Sequence, residues 1–97
     1  MFNGEFKTTF MMDFTIADHF GANAIKDTFK HAFAEWKDNY EYLTELVIAL
    51  NWKIWEHYEK GNEAYATIYN DLWETADGYA CENLKGEEAT YFFEMTD

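Results

Sequence analysis

The 97-residue chain is 48% hydrophobic and 27% charged, a length and balance that suit one domain spanning residues 1–97 and rule out a second. Four Trp, seven Tyr and nine Phe supply side chains that bury about 150–250 Å² each, enough for a core without metals or disulfides. Seven basic against 19 acidic residues leave a net charge of −12, which opposes direct binding to DNA, RNA or an anionic membrane.

The longest apolar run covers residues 46–50, far short of the ~20 residues of a membrane span. The first residues lack a basic segment followed by an apolar one. Cys81 is the single cysteine and cannot form an internal disulfide, so a cytoplasmic protein is expected.

In chain order, residues 10–20 mix alternating and helical spacing. Asp13 can cap a short helix carrying Ile16, Ala17 and Phe20, ended by Gly21. Residues 6–14 can instead extend, since Thr8, Thr9, Phe10 and Phe14 favour strands; helix is preferred. A long helix is predicted over residues 22–37, with Asn23 as N-cap and Ile25, Phe29, Ala32, Phe33 and Trp36 on one face.

A second long helix should run from Asn39 to Gly61, where Lys60 suits the negative helix end and Gly61 supplies the left-handed cap. Tyr40, Leu43, Leu46, Val47, Leu50, Ile54 and Tyr58 form its core stripe. Ile48, Trp52 and Trp55 project on the opposite side among Glu41, Glu45, Glu56 and Glu59, so this helix is apolar on two sides and should be central. The third long helix opens after Gly61 with Asn62 as cap and closes near Lys85. Its inner face carries Tyr65, Ile68, Tyr69, Leu72, Trp73, Ala76, Tyr79 and Ala80, and its outer face Glu63, Asp71, Glu74, Asp77 and Glu82. After Gly86, Glu87 and Glu88 begin a short terminal helix with Tyr91, Phe92 and Met95, although residues 91–93 also suit a strand. The fold class that follows is all-α: a bundle of three long helices, with a short N-terminal helix or extended segment and a short C-terminal helix.

Catalytic motifs are missing. No glycine-rich phosphate loop occurs. The residues three before His19, His31 and His57 are Ile16, Thr28 and Ile54, so the Glu-x-x-His pairs of a di-iron bundle are absent. The sequence contains no Ser, which removes serine hydrolase chemistry. Asp27, His31 and Glu35 stack at i, i+4 and i+8 and resemble a Zn²⁺ ligand set, but such polar ladders are ordinary on a solvated helix flank. Cys81 stands with Glu74 and Asp77, whose charges should raise its thiol pKa, so it is taken as a small half-buried residue. His57 borders the core stripe and is taken as a hydrogen-bonded core histidine. No enzyme activity, metal or cofactor is expected.

Two features remain. Residues 56–97 hold eleven acids and two bases, a balance of −9, against eight acids and five bases, or −3, in residues 1–55. Glu63, Asp71, Glu74, Asp77, Glu82, Glu87 and Glu88 thus make a candidate partner-binding acidic face, spaced like the phosphates of a nucleic-acid strand. Ile48, Trp52 and Trp55 make a candidate apolar patch. The aromatic residues at both chain ends need somewhere to pack, so the patch is expected to be covered by one of them.

The stretches Ala24-Ile25-Lys26-Asp27-Thr28-Phe29, Tyr42-Leu43-Thr44-Glu45-Leu46-Val47, Leu50-Asn51-Trp52-Lys53-Ile54-Trp55 and Asp77-Gly78-Tyr79-Ala80-Cys81-Glu82-Asn83-Leu84-Lys85-Gly86-Glu87-Glu88 give the chain a resemblance. It resembles a family of small uncharacterised acidic proteins carried on conjugative and related mobile elements of gut Firmicutes, over about residues 13–97. The resemblance implies a genetic setting and no site residues. By analogy with antirestriction and anti-CRISPR inhibitors found in such settings, the leading expectation is a non-enzymatic protein whose acidic helical face blocks the basic groove of a nucleic-acid-binding host protein. The alternative is a structural or regulatory accessory protein that forms a homodimer, or binds transfer machinery, through Ile48, Trp52 and Trp55.

Overall fold

Backbone turns divide the chain where the sequence carries glycine or asparagine. The computed structural model describes residues 5–96, with side chains from residue 10 onward; residues 1–4 and 97, the ends of the expected 1–97 domain, lie outside the described residues. Five helices follow one another: α1 (Glu5–Phe20), α2 (Ala22–Trp36), α3 (Tyr40–Glu59), α4 (Glu63–Asn83) and α5 (Glu87–Thr96). No strand occurs among the described residues. The all-α architecture expected from the spacing is therefore the one observed, and residues 91–93 are helical.

The boundaries have local causes. Asn39 accepts hydrogen bonds from the backbone N–H groups of Glu41 (3.1 Å) and Tyr42 (3.2 Å) and so caps α3. At the other end Gly61, at φ 76°, lets the chain turn left. Its N–H donates to the Tyr58 carbonyl (3.1 Å) and that of Asn62 to the His57 carbonyl (2.8 Å), the paired bonds of a Schellman ending. Asn62 then accepts from the Tyr65 N–H (3.2 Å) and starts α4.

Two expected starts are corrected. Helix α1 begins at Glu5, so Asp13 is an exposed mid-helix residue and no cap, and residues 6–14 are not extended. Burial of Phe10, Phe14 and Ala17 along one stripe overrides their strand propensity. Helix α2 starts directly after Gly21, which bends the chain at φ 110° with no side-chain cap, and Asn23 lies inside the first turn.

Helix α3 is central, packing against each of the other four. Leu43, Leu46, Val47, Ala49, Leu50 and Ile54 are buried on it, as are Thr44, Glu45, Lys53 and His57. Glu45, placed on the outer side by spacing, is inside because α3 is enclosed on more than one side. Tyr58, placed on the core stripe, is 53% exposed, and its neighbour His57 takes the inward position in the final turn.

Aromatic edges lock the neighbours together. Phe14 of α1 meets Tyr69 of α4 edge-on at 5.4 Å, Phe33 of α2 meets Tyr79 of α4 at 5.2 Å, and Tyr40 of α3 meets Tyr91 of α5 at 5.2 Å. Among the described residues no helix is long and apolar enough to cross a membrane. Replacing Asn39 with Ala should cost about 1 kcal/mol of stability, seen as a lower urea midpoint with an unchanged slope; an unaltered midpoint would mean that α3 needs no side-chain cap.

Candidate functional site

The most polar part of the interior lies where α1, α3 and α4 meet. Lys53, in the middle of α3, has a side chain with no exposure. Its Nζ donates to Asp18 Oδ2 of α1 (2.7 Å), to Glu56 Oε2 one turn on (2.7 Å) and to Thr15 Oγ1 (3.3 Å), so all three ammonium hydrogens have acceptors. Asp18 is equally occupied. Its Oδ2 also faces His57 Nε2 at 3.0 Å, and its Oδ1 accepts from the Tyr69 hydroxyl at 2.5 Å. The Tyr69 hydroxyl also reaches the Phe14 carbonyl (3.2 Å), and Tyr65 donates to the Asp18 carbonyl (3.4 Å).

Electrostatic effects follow these contacts. Burial, and then the hydrogen bond to Asp18, push the Tyr69 phenol above its ordinary value. Burial acts to raise the Glu56 carboxyl, but the bonds from Lys53 and Lys60 outweigh it and hold the group below the ordinary carboxylate range. At His57 the Asp18 carboxylate can only accept, so the network assigns the proton to Nε2; the buried Nδ1 has no hydrogen-bond partner. As read from the sequence, His57 is a hydrogen-bonded core histidine.

Asp18, Glu56 and His57 each offer one ligand atom, all within 4.8 Å of one another. Lys53 Nζ nevertheless lies 2.7 Å from both carboxylates, where a cation bridging them would sit. The arrangement is a charge-balanced structural node, opening onto a depression of about 340 Å³ lined by Thr15, Asp18, His19, Glu56, His57, Lys60, Asn62 and Tyr65. Asp27, His31 and Glu35 are all exposed along α2. The Lys53 and Asp18 node was missed in the sequence. A signal existed, because Lys53 completes the i, i+3, i+4, i+7 set Leu50, Lys53, Ile54 and His57 on the core stripe.

The acidic face is on the surface. Glu63, Asp71, Glu74 and Glu82 of α4, and Glu87 and Glu88 of α5, are exposed, and Asp77 is half-buried. At 100° per residue the five α4 acids fall within about 140° of arc. Asn70 donates to Glu74 Oε1 (3.1 Å). Ion pairs among the described residues join Asp18 to Lys53 and Glu56 to Lys53 and Lys60, with His57 hydrogen-bonded to Asp18, and none involves α4 or α5. Cys81, expected to be half-buried, is exposed, near the C-terminal end of α4. Its Sγ lies 3.9 Å from Asp77 Oδ2. Loss of water around the sulfur, followed by the Asp77 carboxylate, raises the thiol above its ordinary value; partial burial likewise raises the Asp77 carboxyl, against the opposing Cys81 contact.

The apolar patch is not covered as expected. Ile48 is half-buried, but Trp52 is 55% and Trp55 60% exposed. Among the described residues, Phe10 and Phe14 enter the core, Tyr91 meets Tyr40, and Phe92 is buried. An open depression of about 790 Å³ remains, with Asn51, Trp52, Trp55, Glu56, Glu59 and Lys60 as its walls. Comparison with protein-family models, curated proteins and solved structures finds no match to this chain.

Two outcomes check this description. Lys53→Met leaves Asp18 without its lysine and Glu56 with Lys60 alone, and should cost about 3–5 kcal/mol in denaturant unfolding, whereas a loss below about 1 kcal/mol would show that the node is not closed as described. Cys81 should react with iodoacetamide more slowly at neutral pH than an unstructured cysteine peptide, and Asp77→Asn should speed it up. Equal rates in the two proteins would remove the Asp77 contact.

Proposed function

We propose that this chain is a non-enzymatic, cytoplasmic interaction protein of a mobile element that inhibits a nucleic-acid-binding host protein by presenting the acidic surface of α4 and α5 to its basic groove. The observation that carries the reading is charge segregation. Six of the seven candidate acids are exposed on α4 and α5, and the ion pairs among the described residues lie elsewhere, around Asp18 and Glu56. From Asp71 to Glu82, successive acids are about 4.5–7.5 Å apart along the helix axis, against about 3.4 Å per charge along one DNA strand. The resemblance to mobile-element proteins supplies the setting, and the comparison with antirestriction and anti-CRISPR inhibitors is one of analogy.

A second reading rests on the exposure of Trp52 and Trp55: an accessory protein that pairs with itself, or with transfer machinery, through that patch. Sedimentation separates the two, since a salt-insensitive dimer lost on Trp52→Ala belongs to the second.

The inhibitor reading is tested by displacement of labelled duplex DNA from purified restriction endonucleases and guide-loaded nucleases. Inhibition should weaken between about 50 and 200 mM salt. The combined reversal Asp71→Lys, Glu74→Lys and Glu82→Lys should weaken it about tenfold or more while helical circular dichroism is kept. A folded triple variant that inhibits as well as the parent, or a parent that displaces DNA from none of these proteins, would overturn it.

A further inference from the structure

We infer that the depression beside Trp52 and Trp55 on α3 is a docking site for an arginine-bearing segment of a basic protein partner. Its walls are Asn51, Trp52, Trp55, Glu56, Glu59 and Lys60, and the indoles and carboxylates among them bear on recognition. Trp52 and Trp55 stand one turn apart and are more than half exposed, and Tyr58, one turn further, lies 6.1 Å from Trp55 with the rings tilted by 53°. Beside them are two carboxylates, one of them engaged by the Lys60 ammonium that also lines the depression. Glu56 already binds Lys53 and Lys60, whereas exposed Glu59 enters no ion pair among the described residues.

Charge complementarity decides the occupant. An indole face attracts a cation through its quadrupole, and a planar guanidinium can stack on it while its edge donates to a carboxylate. A purely apolar helix would bury Glu59 without a partner. A second copy fits poorly, because a two-fold contact sets the same patch against itself, bringing Glu59 towards its counterpart in a chain of net charge −12. The chain also contains no arginine, so another copy has no guanidinium to offer. The inference concerns α3, and it stands or falls separately from the acidic face of α4 and α5.

The test uses two labelled peptides of equal length, an Arg-Gly repeat and a Lys-Gly repeat, titrated with the full chain at about 150 mM salt. The Arg peptide should bind about fivefold more tightly. That preference should vanish in the Trp52→Ala, Trp55→Ala double variant, which leaves net charge untouched. In the parent protein, the indole N–H resonances of Trp52 and Trp55 should shift on Arg-peptide addition, a readout independent of whether the variant folds. The α4 charge-reversal variant should bind both peptides more weakly yet keep the Arg preference. Equal affinity for the two peptides, an Arg preference that survives loss of both indoles, or a dimer that closes the depression in sedimentation would each overturn the inference.

Discussion

The Lys53 ammonium and the Asp18 carboxylate, 2.7 Å apart with the lysine side chain wholly buried, are the contact on which the relation of the helices depends. A buried charge is tolerated only when its partners are complete, and completing this one needs Thr15 and Asp18 from α1, Glu56 from α3 itself and, through Asp18, Tyr69 from α4. Contacts pair Thr15 with Lys53 and Asp18 with His57, then Phe14 with Tyr69 and Asp18 with Tyr65. Residue numbers on α1 and α3 rise together and those on α4 fall, so α1 runs parallel to α3 and antiparallel to α4. Sliding α1 by one turn would leave Lys53, His57 and Tyr69 without Asp18. A wholly apolar substitute could be about as stable, but it would not distinguish one register from the next so sharply.

That node also consumes basic charge where it serves the interior. Lys53 and Lys60 are engaged with Glu56, and beyond Lys60 only Lys85 remains to offset the acids of α4 and α5. Some of those acids sit where helix energetics favour them: Glu63 lies in the first turn of α4, and Glu87 and Glu88 in the first turn of α5. Others do not. Glu82 is in the last turn of α4, which carries no basic residue, and a carboxylate there opposes the helix dipole by about 0.3–1 kcal/mol. Asp77 is half-buried, and desolvation raises its carboxyl above the ordinary value, so holding its charge there costs more than in water. Neither position is one that helix energetics or burial favours for an acid.

Much of the fold was legible because apolar spacing and turn chemistry agreed. Asn39, Gly61 and Asn62 mark the ends of α3 and the start of α4 through side-chain and left-handed backbone chemistry that is local to the sequence. Less was legible where tertiary packing decides. The strand-favouring residues of α1 are helical because Phe10, Phe14 and Ala17 are buried together, and no local rule shows that. The exposure of the acidic candidates followed from periodicity. The exposure of Trp52 and Trp55 did not, because it depends on where residues far away in the chain find their contacts: Tyr91 on Tyr40, and Phe14 on Tyr69. Lys53 was overlooked since a charged residue at a core position reads as solvated until its partner Asp18, 35 residues earlier, is seen beside it.

In the proposed reading, the acidic face and the indole patch would divide recognition between them. Helix α4 has 21 residues, so about 30 Å separates its two ends. The Trp55, Tyr58 and Glu59 end of α3 adjoins the first of these through the Gly61 turn, whereas Glu87 and Glu88 follow the second. A partner of the proposed kind that touched the patch and the whole acidic face would have to span the length of α4. Exposed carboxylates act at long range and govern how fast such a partner arrives, an effect that salt weakens. Two indoles act only on contact, and excluding water from them governs how long it stays. A small chain with so strong a negative field thus needs few apolar contacts, provided that they lie at one end of the charged surface and leave the rest of it free to align.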